Sequence, residues 1–145
     1  MLTSAPITPK SKPRTPEAIA ARLAELLEPL SKAGFPIHMT MGNHDSRSRF
    51  QKVLTAHRPH NPYVLGRRIG VVEAKDANWF LLDTLKVING TPGELGERQL
   101  GWLQEELDKR KEKPAIIMLH HNPKTGKEAD TKFDGWGLIE TAEAI

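Results

Sequence analysis

A chain of 145 residues has the length of one domain, and 38% hydrophobic and 27% charged residues are the composition of an ordinary globular protein. No apolar run approaches the ~18 residues of a membrane span. The absence of cysteine excludes disulfides and thiolate metal sites. The net charge of +3 is scattered rather than gathered with aromatic residues, which argues against a nucleic-acid platform. Because the first residues do not have the pattern of a secretory signal, a cytoplasmic location is expected.

The N-terminal part predicts an arm followed by a helix. Residues 1–14 are rich in proline, basic and hydroxyl side chains with little to bury, so we expect a flexible arm. Thr15-Pro16-Glu17 is a helix start, since threonine caps, proline suits the first position and an acid is favourable there. One face of this helix carries the apolar side chains Ile19, Leu23, Leu26, Leu27 and Leu30. Residues 15–145 are expected to form a single domain.

A strand with polar residues at its end is predicted next. Ile37–Met41 is a short, mostly apolar run, and Gly42 allows the chain to turn after it. Asn43, His44 and Asp45 then follow at the carboxyl end of the strand. In open α/β sheets this edge is where ligands bind.

The remaining pattern predicts a mixed α/β fold, with a sheet flanked by helices. The expected elements are, in order, a helix within 46–56, strands at 63–65, 70–74 and 78–83 with a hairpin between the last two, a helix over 96–111, a fully buried parallel strand over 115–119, and the start of a helix at 136–145. The buried strand ends in His120-His121-Asn122-Pro123, so a second strand end carries imidazole and amide groups.

The two strand-end motifs together resemble a known family. Gly-Asn-His-Asp at 42–45, followed by a strand that ends in His-His-x-Pro at 120–123, is similar to the calcineurin-like metallophosphoesterase superfamily. Within it, the bacterial cyclic-nucleotide phosphodiesterases are most alike, and Trp79–Asp83 and Gln99–Leu103 add to the match. The resemblance implies part of an α/β sandwich, two divalent metal ions of the Mn, Fe or Zn type, and a small-molecule phosphoester substrate. Its expected activity is hydrolysis of a phosphodiester or phosphomonoester bond by a metal-activated water.

The resemblance assigns roles to individual residues, each beside a simpler interpretation. Asn43 is implied as a metal ligand whose neutral amide leaves the cation a strong Lewis acid, although asparagine is also common in turns. His120 is implied as a ligand of the same metal. His44 is implied beside the metals, where it would bind the phosphate and protonate the leaving oxygen, or it is a histidine satisfied by a backbone carbonyl.

Three further residues have open alternatives. Asp45 is a candidate catalytic residue that would orient His44 or the neighbouring backbone, but capping the following helix is equally compatible with its position. His121 would line the phosphate pocket or pack. Arg47 would assist an anionic substrate or be a solvated helix charge.

The sequence also departs from the family pattern. An Asp-x-His motif, a Gly-Asp-x-x-Asp motif and a late Gly-His-x-His motif are all missing from it. The chain therefore looks like an interior piece of a longer enzyme. Asn43 and His120 are only two protein ligands, below the usual three, so this piece alone is expected to hydrolyse little. The alternative is a degenerate phosphoesterase-like module that serves only as a binding domain, and a nucleic-acid-binding domain is supported only by the calculated pI of 9.3.

Overall fold

The computed structural model describes residues 15–53, 66–123 and 137–139. The predicted arm at 1–14 and the predicted strand at 63–65 lie outside these ranges. The described elements are α1 (Pro16–Lys32), α2 (Arg47–Val53), β1 (Gly70–Glu73), β2 (Asn78–Leu81), α3 (Glu97–Asp108) and β3 (Ala115–Met118). Across the described ranges, no helix has both the length and the apolar character that crossing a membrane requires.

Helix α1 begins where the sequence predicts. Thr15 has an extended backbone, and its Oγ1 accepts a hydrogen bond from the N–H of Ala18 at 3.2 Å, which satisfies one of the free donors of the first turn. The chain leaves the helix at Gly34, which has a φ of 80° that favours glycine. The apolar face of α1 is largely exposed, with Ile19 55% and Leu26 59% accessible. The helix is therefore confirmed, while few described side chains cover its apolar face.

The sheet has three strands in the order β1, β2, β3. Strands β1 and β2 form an antiparallel hairpin in which Gly70 pairs with Leu81 and Glu73 pairs with Asn78. Strand β3 runs parallel to β2, with Met118 opposite Leu81. The two predicted strands, their hairpin and the parallel third strand are thus confirmed, as is the mixed α/β class.

The predicted burial of β3 is wrong. All four of its residues are exposed, including Ile116 at 37%, Ile117 at 42% and Met118 at 40%. In the described sheet β3 is an edge strand with β2 as its one neighbour, so its side chains are not covered on both faces. A continuous apolar run is typical of a strand buried on both faces, but the run does not specify which elements do the burying.

The predicted strand at Ile37–Met41 is also wrong. This run belongs to none of the described strands. It is held instead by side-chain packing, because Met41 is fully buried in a cluster with Phe50 of α2 and Leu85. The segment that leads into the Gly-Asn-His-Asp turn is therefore positioned by the core rather than by a ladder of backbone hydrogen bonds.

A second apolar cluster lies under α3. It contains Leu82, Leu95 and Leu138, and partly buried side chains of α3, among them Leu100 and Leu103, pack against it. The predicted helix over 96–111 is confirmed as Glu97–Asp108. Residues 137–139 are not helical, contrary to the prediction for 136–145, and the rest of that stretch lies outside the described ranges.

A fully buried carboxylate, that of Asp83, joins these elements just after β2. Arg47 at the start of α2 donates two hydrogen bonds to it, from Nε to Oδ2 at 2.7 Å and from Nη2 to Oδ1 at 2.8 Å. The N–H groups of Arg68 and Leu85 donate to the same oxygens at 2.8 and 3.1 Å. The side chain of Gln99 in α3 bonds to both the N–H and the C=O of Asp83. We call this group of five residues the Asp83 junction; it fastens α2 and α3 to the end of β2.

Candidate functional site

The Gly-Asn-His-Asp motif forms a closed turn immediately before α2. Asp45 closes it, because its Oδ2 accepts a hydrogen bond from the N–H of Gly42 at 2.8 Å and its own N–H donates to the C=O of Gly42 at 3.1 Å. Of the contacts expected for Asp45, the one with neighbouring backbone is observed. Its catalytic role stays a prediction. The turn presents Asn43 and His44 at its tip.

Gly42 favours a close approach of two side chains to the motif turn. A Cβ added at this position would lie 3.3 Å from Cε1 of His120 and 3.4 Å from Oδ2 of Asp45. Both distances are at or just inside ordinary van der Waals contact. The bare backbone of the turn therefore leaves room for the ring of His120, which comes from the other end of the sequence.

The structure brings Asn43 and His120 together across 77 positions of sequence. Nε2 of His120 lies 3.2 Å from Oδ1 of Asn43. A hydrogen bond explains this distance, and it also falls in the range of about 3.0–3.4 Å that separates two ligands held about 2.1 Å from one cation at octahedral or tetrahedral angles. We call the side chains of Asn43 and His120 the donor pair, because each could donate a lone pair to a metal ion. His120 is exposed and Asn43 half-buried, so the pair is accessible. Their roles as metal ligands stay predictions.

The donor pair does not belong to a larger cluster of acidic and histidine metal-binding groups among the residues that the structure describes. Those residues contain no cluster of three or more histidine, aspartate, glutamate or cysteine side chains placed to hold a metal ion. Two donors can form part of a cation site, but catalytic sites generally use at least three protein ligands. The described residues therefore fit a portion of a metal centre.

His44 has a partner that the sequence reasoning missed. Its Nδ1 lies 2.9 Å from Oδ1 of Asn89, which belongs to the loop between Leu85 and α3. The N–H of Asn89 also donates to the C=O of Asn43 at 2.7 Å. Asn89 has a φ of 60°, and the dipeptide Asn89-Gly90 is a common signal for such a turn. That signal identifies the turn, but not that it would meet His44.

His121 is packed into the core, and its ring lies edge-to-face against that of His120 at a centroid distance of 5.1 Å. It is 6% exposed, and its Nδ1 lies 2.8 Å from Oγ1 of Thr84. The ring lies so close to Gly93 that a Cβ there would be 2.3 Å from Cγ of His121. Burial, followed by the neighbouring charge of His120, holds the pKa of His121 below its usual value. These contacts support the interpretation that His121 packs in the core, and its alternative role in lining the phosphate pocket stays a prediction.

Arg47 contributes to the Asp83 junction. Besides the two hydrogen bonds to Asp83, its Nη2 donates to the C=O of Leu85, and its side chain is 22% exposed. The guanidinium is thus engaged in holding α2, the helix that follows the Gly-Asn-His-Asp turn. Its predicted assistance to an anionic substrate stays a prediction.

A cavity of about 670 Å³ opens beside His44 and Asn89. It is bordered by apolar side chains of α1, including Ile19 and Leu23, and by Met118 of β3. The rest of the lining includes polar and charged side chains, and the groups suited to a phosphate include His44 and the guanidinium of Arg49.

Comparison with known proteins gives a consistent result. Residues 13–138 match the family model described as calcineurin-like phosphoesterase. A probable cyclic nucleotide phosphodiesterase of Rhodococcus erythropolis is 32% identical over 111 residues, which are 71% of this chain and 33% of that protein. A cAMP/cGMP dual specificity phosphodiesterase of Mycobacterium tuberculosis is 33% identical over 103 residues, 70% of this chain and 31% of that protein. The chain therefore spans about a third of the length of the curated relatives it matches.

Proposed function

Because the chain belongs to the calcineurin-like phosphoesterase family, we propose that it is part of a longer enzyme that hydrolyses phosphoester bonds with the help of metal ions. The observation that carries the proposal is the 3.2 Å approach of Asn43 Oδ1 and His120 Nε2. Two residues so far apart in sequence meet at an accessible turn, and both are of types that bind divalent cations through oxygen or nitrogen. Residues 15–145 would form a partial domain of that enzyme.

Asn43 and His120 would hold one cation of the Mn, Fe or Zn type. A cation held there supplies Lewis-acid polarisation of the phosphoryl oxygens and activates water. The amide of Asn43 is uncharged, so it leaves the full positive charge available to the substrate. The remaining ligands, and those of a second cation, would come from outside the described residues.

The protein's own groups would then act on the substrate from the motif turn. Asn89 Oδ1 faces Nδ1 of His44, which leaves Nε2 of the ring to bind a phosphate oxygen or to carry the proton that the leaving oxygen needs. Asp45 keeps the turn closed through the N–H of Gly42. Asp45 would thus serve the reaction by fixing the place of His44 and Asn43.

The proposed substrate class is the small-molecule phosphoester. Support comes from the two relatives, whose names specify cyclic nucleotides as substrates. We propose the same class for the longer protein and expect neither nucleic acid nor a membrane as partner. The predicted cytoplasmic location belongs to the same proposal.

Metal binding tests the proposal directly on this chain. We expect Mn²⁺ to broaden the NMR signals of the His120 ring and the Asn43 amide more than those of other histidine and asparagine side chains, because paramagnetic relaxation falls steeply with distance. Asn43→Ala and His120→Ala should each remove the effect. Gln104→Ala, which deletes an exposed amide from α3, is the matched control and should leave it unchanged.

Failure of this experiment would favour the second candidate, a degenerate module without activity that serves as a binding domain. That candidate is supported by the absence, among the described residues, of any cluster of three or more histidine, aspartate, glutamate or cysteine side chains placed to hold a metal ion. With two protein ligands, the chain alone should turn over bis-p-nitrophenyl phosphate only slowly in the presence of manganese. Brisk turnover would contradict the expectation that this piece is nearly inactive by itself.

A further inference from the structure

We infer that Asn89 is a positioning residue that sets the orientation and the protonated nitrogen of the His44 imidazole. This inference deepens the proposed function and rests on it for its catalytic meaning. The distance of 2.9 Å between His44 Nδ1 and Asn89 Oδ1 is that of a well-formed hydrogen bond. An amide oxygen accepts and cannot donate, so the hydrogen between the two atoms belongs to Nδ1 of His44.

The tautomer that follows is the one the reaction would use. A neutral imidazole has one N–H and one lone pair, so a hydrogen on Nδ1 leaves the lone pair on Nε2. In the imidazolium form Nε2 also carries a proton; on giving it to a leaving oxygen, the ring would return to this same tautomer, while Nδ1 remains bonded to Asn89. The opposite tautomer would place its N–H on Nε2 and would set the Nδ1 lone pair against the Asn89 oxygen, which is unfavourable.

Asn89 is itself held in register with the motif turn. Its N–H donates to the C=O of Asn43 at 2.7 Å, so backbone and side chain contact two successive residues of the motif. Its φ of 60° lies in the left-handed region, which asparagine, aspartate and glycine tolerate better than other residues. The N–H of Gly90 bonds to the C=O of Val87 at 3.0 Å and closes the turn that carries Asn89.

This geometry allows the side-chain contact to be removed without disturbing the backbone contact. Asn89→Gly deletes the acceptor and keeps both the left-handed φ and the N–H that bonds to Asn43. Asn89→Asp keeps the φ and restores an oxygen acceptor. A purely structural role for the loop would be preserved in both variants, whereas positioning of His44 would be lost in the first and kept in the second.

The experiment reads the ring nitrogens of His44 in the 145-residue chain labelled with ¹⁵N-histidine. Long-range ¹H–¹⁵N spectra are recorded at alkaline pH, where the imidazoles are neutral, and His44→Gln identifies the signals of His44 by their loss. We expect Nδ1 of His44 to show the shift of a protonated nitrogen in the wild-type chain and in Asn89→Asp. In Asn89→Gly it should move toward the value of a mixed population of tautomers.

Two results would overturn the inference. One is an unprotonated Nδ1 on His44 in the wild-type chain, which decides the matter even if a variant does not fold. The other is a His44 Nδ1 shift in folded Asn89→Gly equal to that of the wild type. Neither measurement uses a metal ion or a substrate, so the inference can fail while the chain still binds manganese at Asn43 and His120, and it can hold even if that binding is not found.

Discussion

The Asp83 junction and the donor pair are both polar, but they differ in burial and in the number of their hydrogen-bond partners. Asp83 is fully buried, and its carboxylate receives hydrogen bonds from the guanidinium of Arg47 and from two backbone N–H groups. His120 is exposed, and among described residues its ring nitrogens contact one side chain, that of Asn43 at 3.2 Å. A buried charge must have its hydrogen bonds satisfied within the fold, whereas accessible donors can remain free to bind a ligand. The comparison separates a group that holds the structure from one suited to chemistry.

The largest expected effect comes from breaking the junction. Asp83→Asn replaces an accepting carboxylate oxygen with an NH₂ that faces existing donors, and it leaves the positive charge of Arg47 without its partner. Breaking a buried ion pair in this way costs about 3–5 kcal/mol, so we expect the free energy of unfolding to fall by that amount or the chain to fail to fold. Urea denaturation followed by circular dichroism measures it.

Asp76→Asn is the matched control, because Asp76 is exposed in the turn between β1 and β2. It should leave the unfolding midpoint nearly unchanged. If both substitutions had the same small effect, the junction would not be the stabilising centre that its hydrogen bonds indicate.

A smaller loss of unfolding free energy is expected at Gly93, where the ring of His121 packs against the backbone. Gly93→Ala would place a methyl group 2.3 Å from Cγ of His121, so the ring or the chain must shift. Overpacking of this kind costs about 1–3 kcal/mol. Gly101→Ala is the control, since its Cβ would meet nothing within 4 Å and alanine is favoured over glycine in a helix by about 1 kcal/mol. Opposite signs of the two changes in unfolding free energy are the expected result; equal signs would show that the close approach at Gly93 is easily relieved.

The smallest effect concerns the outer side of α3. Lys109 donates a hydrogen bond to Glu106 at 2.7 Å, and this contact, with help from Arg110, holds the pKa of Glu106 below its ordinary value of 4.5. A lowered carboxyl pKa contributes stability that is present above pH 4.5 and is lost as the pH falls through the folded-state value. Glu106→Gln should therefore cost less than about 1 kcal/mol at neutral pH and progressively less below pH 4.5.

Thermal unfolding of Glu106→Gln and of the wild type across acidic pH measures this difference. Glu105→Gln, which removes a carboxylate at the neighbouring exposed position, serves as the control. If the difference in stability between the wild type and Glu106→Gln increased on acidification, it would contradict the lowered pKa of Glu106.

Local signals in the sequence were sufficient for most elements. The cap at Thr15, the apolar spacing of α3 and the hairpin between β1 and β2 each depend on residues that are close in sequence, and the structure confirms all three. The meeting of Asn43 with His120 was expected because two polar motifs each followed an apolar run. That expectation relied on the family resemblance as much as on the pattern.

The predictions that were wrong concern contacts with distant residues, which a local sequence pattern does not specify. Ile37–Met41 has the composition of a strand, but in the described structure core packing through Met41 positions it. The run at 115–119 predicts the parallel strand correctly and its burial incorrectly, since burial requires covering elements. Asn89 was missed for a similar reason. A left-handed turn is a local property, but its contact with His44 spans 45 positions.

Two residues shortly after β2, Asp83 and Thr84, connect the junction to both histidine motifs. Asp83 holds Arg47, which is two positions after Asp45, and Thr84 holds the ring of His121, the neighbour of His120. A genetic screen for loss of the proposed phosphoesterase activity would therefore recover substitutions at positions 83 and 84, although neither side chain contacts the donor pair. Such hits would need a folding assay before being interpreted as active-site residues.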